Sequence, residues 1–319
     1  MGKTAVACGL YDLLQDAFAD HASWAGVQLI SADSAMVYQG MDIGTAKPDA
    51  QEQQRYPHHL IDLVDPATPY SAADFVRDAD ACVRHALSQR HLPIIVGGTM
   101  LYVKRFIEGI ATLPEADPGV RKALAARWET EGPVALHAEL RRLDPVAAEK
   151  IHPNNRQRLL RALEVHALGS DFSALWAQQE PASARLGVEV LAHGLMPQDR
   201  LQLHEVIERR FHTMLEAGFE EEVQKLWQRG DLSADLPAMR AVGYRQAWQF
   251  LQGEISREEF VEQAITATRR LAKRQLTWMR NWDALELSEG PSLAEGTDQQ
   301  AAVDRVAEVM AQAILRRCG

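Results

Sequence analysis

The chain has 319 residues, 46% of them hydrophobic and 24% charged, enough apolar content to bury a sizeable core in about two domains of roughly 150 residues each. This excludes a disordered, collagenous or low-complexity protein. Lys and Arg number 34 against 44 Asp and Glu, a formal net charge of −10, so there is no overall pull on nucleic acid, although a local basic patch can still hold one.

Gly2-Lys3-Thr4 is the back half of a phosphate-binding loop of the G-x-x-x-x-G-K-[ST] kind. Leu10, Leu13, Leu14 and Ala17 follow at helical spacing. The strand and glycine turn expected ahead of such a loop are not in this sequence. Val27 to Ser31 is a β-rich run that ends in Ala32-Asp33-Ser34, and the glycines and proline of Gly40 to Pro48 mark a structured loop. Ser71 and Asp74 have the spacing of a capping box, which predicts a helix to about Gln89. Pro93 to Val96 is a continuous apolar run, as in a parallel strand covered on both faces, and Gly97-Gly98-Thr99 ends it. Alternating helix and strand predict an α/β fold.

From about Asp117 to Leu168 the sequence is charged, rich in Ala and Leu and helical throughout. Asp144-Pro145 reads as an N-cap followed by proline in the first helical position. Val188 to Ala192 reads as a returning strand, and helices follow to about Trp282. Ser288 to Gln300 reads as a loose connection to a last helix, Ala301 to Arg317. Cys8, Cys82 and Cys318 lie far apart, which argues against a disulfide framework or a zinc site and suits a reducing cytoplasm. The longest mostly apolar stretch, Leu92 to Val103, is too short to span a membrane, and no signal peptide opens the chain.

Several residues can carry chemistry. Gly2 and Lys3 at a helix start offer backbone N–H groups, a dipole end and an ammonium to a phosphate, and the Thr4 hydroxyl can ligate Mg²⁺. Asp33 stands past the C-terminal end of a strand, where α/β sheets place ligands. It is either a general base or a turn cap. Gly97-Gly98-Thr99 is either a tight turn or a place where a phosphate or base meets the backbone. His58-His59 has no ligand set around it and reads as a hydrogen-bonding pair. The acid-free segment Arg269 to Arg280 puts Arg269, Arg270, Lys273, Arg274, Thr277 and Arg280 on one helix side, a stripe that can track phosphates or be a solvated face. Gln157 to Arg161 and Arg240 to Arg245 are further basic clusters, and Tyr244 in the second can stack on a base.

Taken in order, these segments resemble the bacterial tRNA dimethylallyltransferases. The resemblance rests on Gly2-Lys3-Thr4, Ser31-Ala32-Asp33-Ser34 with Tyr38, Gly40 to Pro48, Pro57-His58-His59-Leu60 and Gly97-Gly98-Thr99-x-Leu101-Tyr102. It continues in Ile151 to Asn155 with Gln157-Arg158, Met239 to Arg245, and Lys273-Arg274-Gln275-x-Thr277-Trp278-x-Arg280. The family's loop reads Gly-Pro-Thr-Ala-Ser before Gly-Lys-Thr, behind a buried strand. Only Met1 stands there, so a start displaced from the family's is expected.

The resemblance implies transfer of a dimethylallyl group from its diphosphate to N6 of adenosine 37 beside a tRNA anticodon. It implies a P-loop-like, nucleotide-binding α/β core over 1–118 and 185–287, a helical insertion over 119–184 that meets the anticodon stem, and a tail over 288–319 with a last helix. Asp33 and Thr99 would be catalytic. Gly2, Lys3, Thr4 and Arg210 would hold the diphosphate with Mg²⁺. The implied tRNA contacts are Asp33, Ser34, Ala35, Met36 and Thr99; Arg121, Gln157, Arg158, Leu159, Leu160 and Arg161; Arg240, Ala241, Val242, Gly243, Tyr244 and Arg245; and Lys273, Arg274, Gln275, Leu276, Thr277, Trp278, Met279 and Arg280. The family often has Gln where Met36 stands. A cytoplasmic monomer is expected. The alternatives are prenylation of free adenine nucleotides, a tRNA-binding protein without turnover, and a P-loop kinase acting on ATP.

Overall fold

Gly2 takes a left-handed backbone (φ +65°) and leads into α1 (Lys3–Ala17) in the computed structural model, which describes residues 2–291 and 298–318. Helix α1 buries Val6, Ala7, Leu10 and Leu14 along one face. Next come β1 (Gly26–Ala32), α2 (Ala50–Arg55), β2 (His58–His59), α3 (Ala72–Ser88), β3 (His91–Gly97) and α4 (Met100–Glu108). Helix α3 begins at a complete capping box of Ser71 and Asp74. The three strands form a parallel sheet in the order β2-β1-β3, with Leu29 opposite Ile94 and Ala32 opposite Gly97. Crossovers through helices are what parallel pairing requires, and the core is α/β as expected.

Strand burial differs from expectation. Every residue of β1 is buried, whereas every residue of β3 is only half-buried. Among the described strands β3 pairs along one edge alone, with β1, so its apolar run is not that of a fully covered strand.

A second unit comprises residues 107–187, the first comprising 1–106 with 188–319. The second contains α5 (Pro118–Leu143), α6 (Pro145–Lys150), α7 (Arg156–Ala167), α8 (Phe172–Ala177) and α9 (Ala182–Leu186). Its core is Leu124, Leu136, Leu140, Ile151, Leu159 and Leu163 with smaller alanines between. Helix α5 kinks at Gly132 (φ +80°) next to Pro133. Asp144 caps α6 by accepting from Ala147 N at 2.9 Å, and Pro145 occupies the first turn.

The chain returns to the first unit through β4 (His193–Met196), α10 (Arg200–Glu216), α11 (Phe219–Gln228), α12 (Tyr244–Leu251), α13 (Arg257–Arg280), β5 (Glu286–Glu289) and α14 (Gln299–Cys318). Val188 to Ala192 is not a strand; pairing begins at His193, where Glu286 provides a parallel partner. The β-branched residues of 188–192 have no ladder to join. β5 escaped the sequence reading because it is mostly exposed and offers only Leu287 as an apolar residue. The last helix, found where it was expected, packs on α1: Ala307 and Ala311 share a core cluster with Leu10, Leu14, Phe18 and Val27. Gly9 lets it approach, since a Cβ there would lie 3.2 Å from Cβ of Ala307. Residues 292–297 of the expected loose connection lie outside the described residues. Among the described residues no helix is long and apolar enough to cross a membrane.

Candidate active site

Strands β1 and β3 end side by side, and the residues just past them are tied together. Thr99 N donates to Ala32 O at 3.2 Å. The Thr99 hydroxyl accepts from Ser34 N at 2.9 Å and donates to Ser34 Oγ at 3.1 Å. Gly97 is needed for this approach, because a Cβ there would sit 2.1 Å from Ala32 O. Asp33 closes the turn after β1: its Oδ1 accepts from Ala35 N at 2.9 Å and Met36 N at 3.3 Å. The carboxylate is thus both a turn cap and a fixed group at the strand mouth. Gln275 of α13 donates to Gly98 O at 2.7 Å. A Cβ on Gly98 would meet Gln275 Nε2 at 2.8 Å and Lys3 Nζ at 3.6 Å, so Lys3, Gly98 and Gln275 converge on one place.

The electrostatics of that place are unusual. Burial pushes the Lys3 ammonium below the ordinary lysine range; the charge of Asp33 opposes the shift and that of Arg210 adds to it. Asp33 also acts favourably on the Arg210 guanidinium. The charge of Asp33 thus favours the protonated form of both cations. Gly2, the N-cap of α1, has no side chain to bond the first turn, which leaves the helix's orphan N–H groups for an anion. Thr4 is exposed in that first turn. A partly desolvated lysine, an arginine and a helix N-terminus without a side-chain cap suit a polyanionic group such as a diphosphate.

The implied polynucleotide contacts divide by exposure. Arg270, Lys273, Arg274, Thr277 and Trp278 line an open pocket of ≈ 390 Å³ along α13, and Arg280 is exposed. Arg269 does not belong to this free stripe, because it pairs with Glu208 of α10 at 2.6 Å. Leu276 and Met279 are buried core residues. Arg240 and Arg245 are exposed, and Ala241 and Val242 half-buried. Gly243 is buried and Tyr244 fully so. The expected stacking of Tyr244 on a base is not available: the ring packs edge-on against Phe219 and the hydroxyl bonds Glu222. In the helical unit Gln157 and Arg158 are exposed, Leu160 is half-buried and Leu159 is fully buried in the core. Arg121 and Arg161 both pair with the buried Glu164, at 2.9 and 2.6 Å, so their positions are fixed from within. Near the strand mouth Ser34 is exposed, and Ala35 and Met36 are half-buried.

His58 uses Nδ1 with Tyr56 O at 2.7 Å, and burial holds both His58 and His59 below the ordinary imidazole range. Asp144, His166 and Asp171 bring ligand-type atoms together in the helical unit. Capping accounts for both carboxylates: Asp144 accepts from Ala147 N and Ser173 N, and Asp171 from Ala174 N.

Two residues outside the sequence expectations stand out. Lys47, with a side chain only 4% exposed, pairs with Asp42 and Asp62 at 2.5 Å each. Glu222 is buried and accepts from the backbone N–H groups of Asp42, Ile43 and Gly44. Its signal in the sequence is faint: Phe219, Glu222, Val223 and Leu226 share the buried face of α11, but the neighbouring Glu220 and Glu221 disguise it as one of a solvated run.

The chain is similar to proteins of one kind. A tRNA dimethylallyltransferase of Chromohalobacter salexigens is 54% identical over 285 residues, covering 89% of this chain and 87% of that one. The structure of a tRNA isopentenylpyrophosphate transferase from Bacillus halodurans superposes with a TM-score of 0.66 at 33% identity, covering 99% and 93% of the two chains. A eukaryotic dimethylallyltransferase acting on tRNA shares the fold, with a TM-score of 0.74 at 20% identity over 99% of this chain and 77% of that one. The IPP transferase family model matches residues 36–282, a span running from the turn after Asp33 through α13, and the chain belongs to that family.

Proposed function

We propose that this chain transfers a dimethylallyl group from dimethylallyl diphosphate to N6 of adenosine 37 of tRNA, and that it does so as a cytoplasmic monomer. The observation that carries the reading is the convergence of Lys3 and Gln275 on Gly98, next to Thr99 and the Asp33 turn at the ends of β3 and β1. N6 of adenine is a weak nucleophile, because its lone pair is delocalised into the ring. In the transfer a bond forms between N6 and C1 of the dimethylallyl group while the C1–O bond breaks. The electron pair of that bond leaves on diphosphate, and Asp33 takes the N6 proton. Lys3, Arg210 and the N–H groups of the first turn of α1 neutralise the charge that develops on the leaving oxygens. Thr99, held by Ser34, orients the acceptor beside Asp33.

Mg²⁺ fits the same place. Thr4, exposed in the first turn of α1, offers a hard hydroxyl oxygen, and this ion commonly takes one or two protein ligands and completes its shell with phosphate oxygens and water. Bound there, it would supply further neutralisation of the diphosphate.

A base inside a stacked loop cannot reach this site, so adenosine 37 must be flipped out. The exposed cations of α13, with Arg240 and Arg245, hold the polynucleotide backbone on the α/β unit. Gln157, Arg158 and Arg121 offer contacts to the anticodon stem on the helical unit. The test is incubation with radiolabelled dimethylallyl diphosphate and, in parallel, tRNA, AMP, ADP and ATP. Label in a tRNA digest at N6-dimethylallyladenosine is the expected result. Label on the free nucleotides alone, or on none of the acceptors, refutes it.

A further inference from the structure

The buried carboxylate of Glu222 fills all its acceptor positions. Oε2 accepts from Asp42 N at 2.8 Å and Ile43 N at 2.7 Å. Oε1 accepts from Gly44 N at 3.1 Å and from the hydroxyl of Tyr244 at 2.5 Å. A buried charge is tolerated only when satisfied in this way. The loop is moulded to it: a Cβ on Gly44 would lie 2.2 Å from a ring carbon of Phe219 and 2.7 Å from one of Tyr244. The bonds continue beyond the loop. Asp42 pairs with Lys47, which also donates to Tyr38 O at 2.9 Å and pairs with Asp62 at 2.5 Å. Asp62 N donates to Met36 O at 3.1 Å, and Met36 N donates to Asp33. At the other end Tyr244 sits between the exposed Arg240 and Arg245.

We propose that Glu222 is a positioning residue. Through the 42–47 loop it joins the Arg240–Arg245 basic segment to the turn that aims Asp33, so that a polynucleotide seated on those arginines is held in register with the carboxylate. The proposal rests on the reading of this chain as a tRNA dimethylallyltransferase. Its force is geometric: a reacting group misplaced by about 1 Å can lose on the order of 10²-fold in rate, and no polar atom of Glu222 need touch substrate for that to happen.

The test is Tyr244→Phe, which removes one hydroxyl and keeps the ring against Phe219. Single-turnover transfer at saturating tRNA is expected to fall about tenfold, with the affinity for inorganic diphosphate and the KM for dimethylallyl diphosphate unchanged within twofold. Asp62→Asn removes the charge that pairs with Lys47, weakens the same series of bonds at an exposed link and is expected to give the same split in smaller measure. It serves if Tyr244→Phe melts below the assay temperature, since asparagine suits the positive φ of 53° at that position. A folded variant with an unchanged rate overturns the positioning role, as does a parallel loss of diphosphate affinity, the signature of a general structural fault. If the parent chain itself transfers nothing, it is the dimethylallyl reading that fails; an active parent with equally active variants sinks only the role given to Glu222.

Discussion

Asp33 is at once a turn cap and the proposed base, and two substitutions separate these roles. Asp33→Asn keeps an oxygen that can accept from Ala35 N and Met36 N, but it cannot take the N6 proton. Loss of a general base slows a reaction by roughly 10²–10⁴-fold, about 3–5 kcal/mol of barrier. The turn should survive, so melting should move by little. Asp33→Ala loses the same chemistry and also the cap. The 2.9 Å bond from Ala35 N is the stronger of the two, and that from Met36 N at 3.3 Å is weak. Because Asp33 is half-buried, water partly replaces the lost acceptor, and the stability loss should be about 1–2 kcal/mol, a few degrees in Tm. Removing the charge also removes the support it gives to the Lys3 ammonium, so diphosphate binding should become more sensitive to rising pH in both variants. Single-turnover transfer, filter binding of tRNA and thermal melts make the comparison. An Asp33→Asn enzyme within about threefold of the parent in single-turnover rate would remove Asp33 from the proton transfer and leave it a turn residue.

Lys3→Met should bind inorganic diphosphate far more weakly while raising stability near neutral pH, because the parent must hold a charge that burial disfavours. With the folded pKa below the unfolded value of 10.5, the unfolded chain holds more protons in the window between them. Stability of the parent therefore rises with pH across that window while its diphosphate affinity falls, and denaturant titrations from pH 7 to 10.5 should show neither trend in Lys3→Met. On α13, the pair Arg270→Glu and Lys273→Glu should flatten the slope of log tRNA affinity against log salt by about two phosphate contacts' worth. Arg269→Ala should change the slope less, since Glu208 already neutralises that charge; equal effects would refute the division. Gly97→Ala forces a Cβ against Ala32 O and should cost at least about 1–3 kcal/mol in denaturant unfolding, with slower transfer because the displaced strand end carries Asp33.

The sequence revealed what is encoded locally. The capping box at Ser71 and Asp74 and the cap at Asp144-Pro145 are contained in a few neighbouring residues, and both are found where the spacing put them. The grouping of Lys3, Asp33, Gly98 and Thr99 was legible because each follows a helix or strand boundary that sequence marks with glycine or a polar residue. Features that depend on distant partners were not legible. Glu222 reads as a solvent acid until the 42–44 loop is seen to wrap it. Tyr244, in a basic motif, reads as a stacking ring until Phe219 and Glu222 enclose it. Arg269 looks like its neighbours on α13 until α10 brings Glu208 beside it. β5 has almost no apolar signal, and its pairing exists only because β4 lies alongside.

The docking of α14 on α1 has a consequence for how the molecule is made. In synthesis α1 precedes α14 by most of this sequence. The contact of Leu10 and Leu14 with Ala307 and Ala311 is thus a closure of very long range, and such contacts form slowly. Until α14 has been made and docks, the apolar face of α1 lacks this cover and is a target for chaperones that hold nascent chains. Lys3 opens that same helix, so the anion site at its N-terminus is braced only once α14 has docked. The site around Lys3 should therefore mature late in folding, with helix α14 completing the scaffold that holds it.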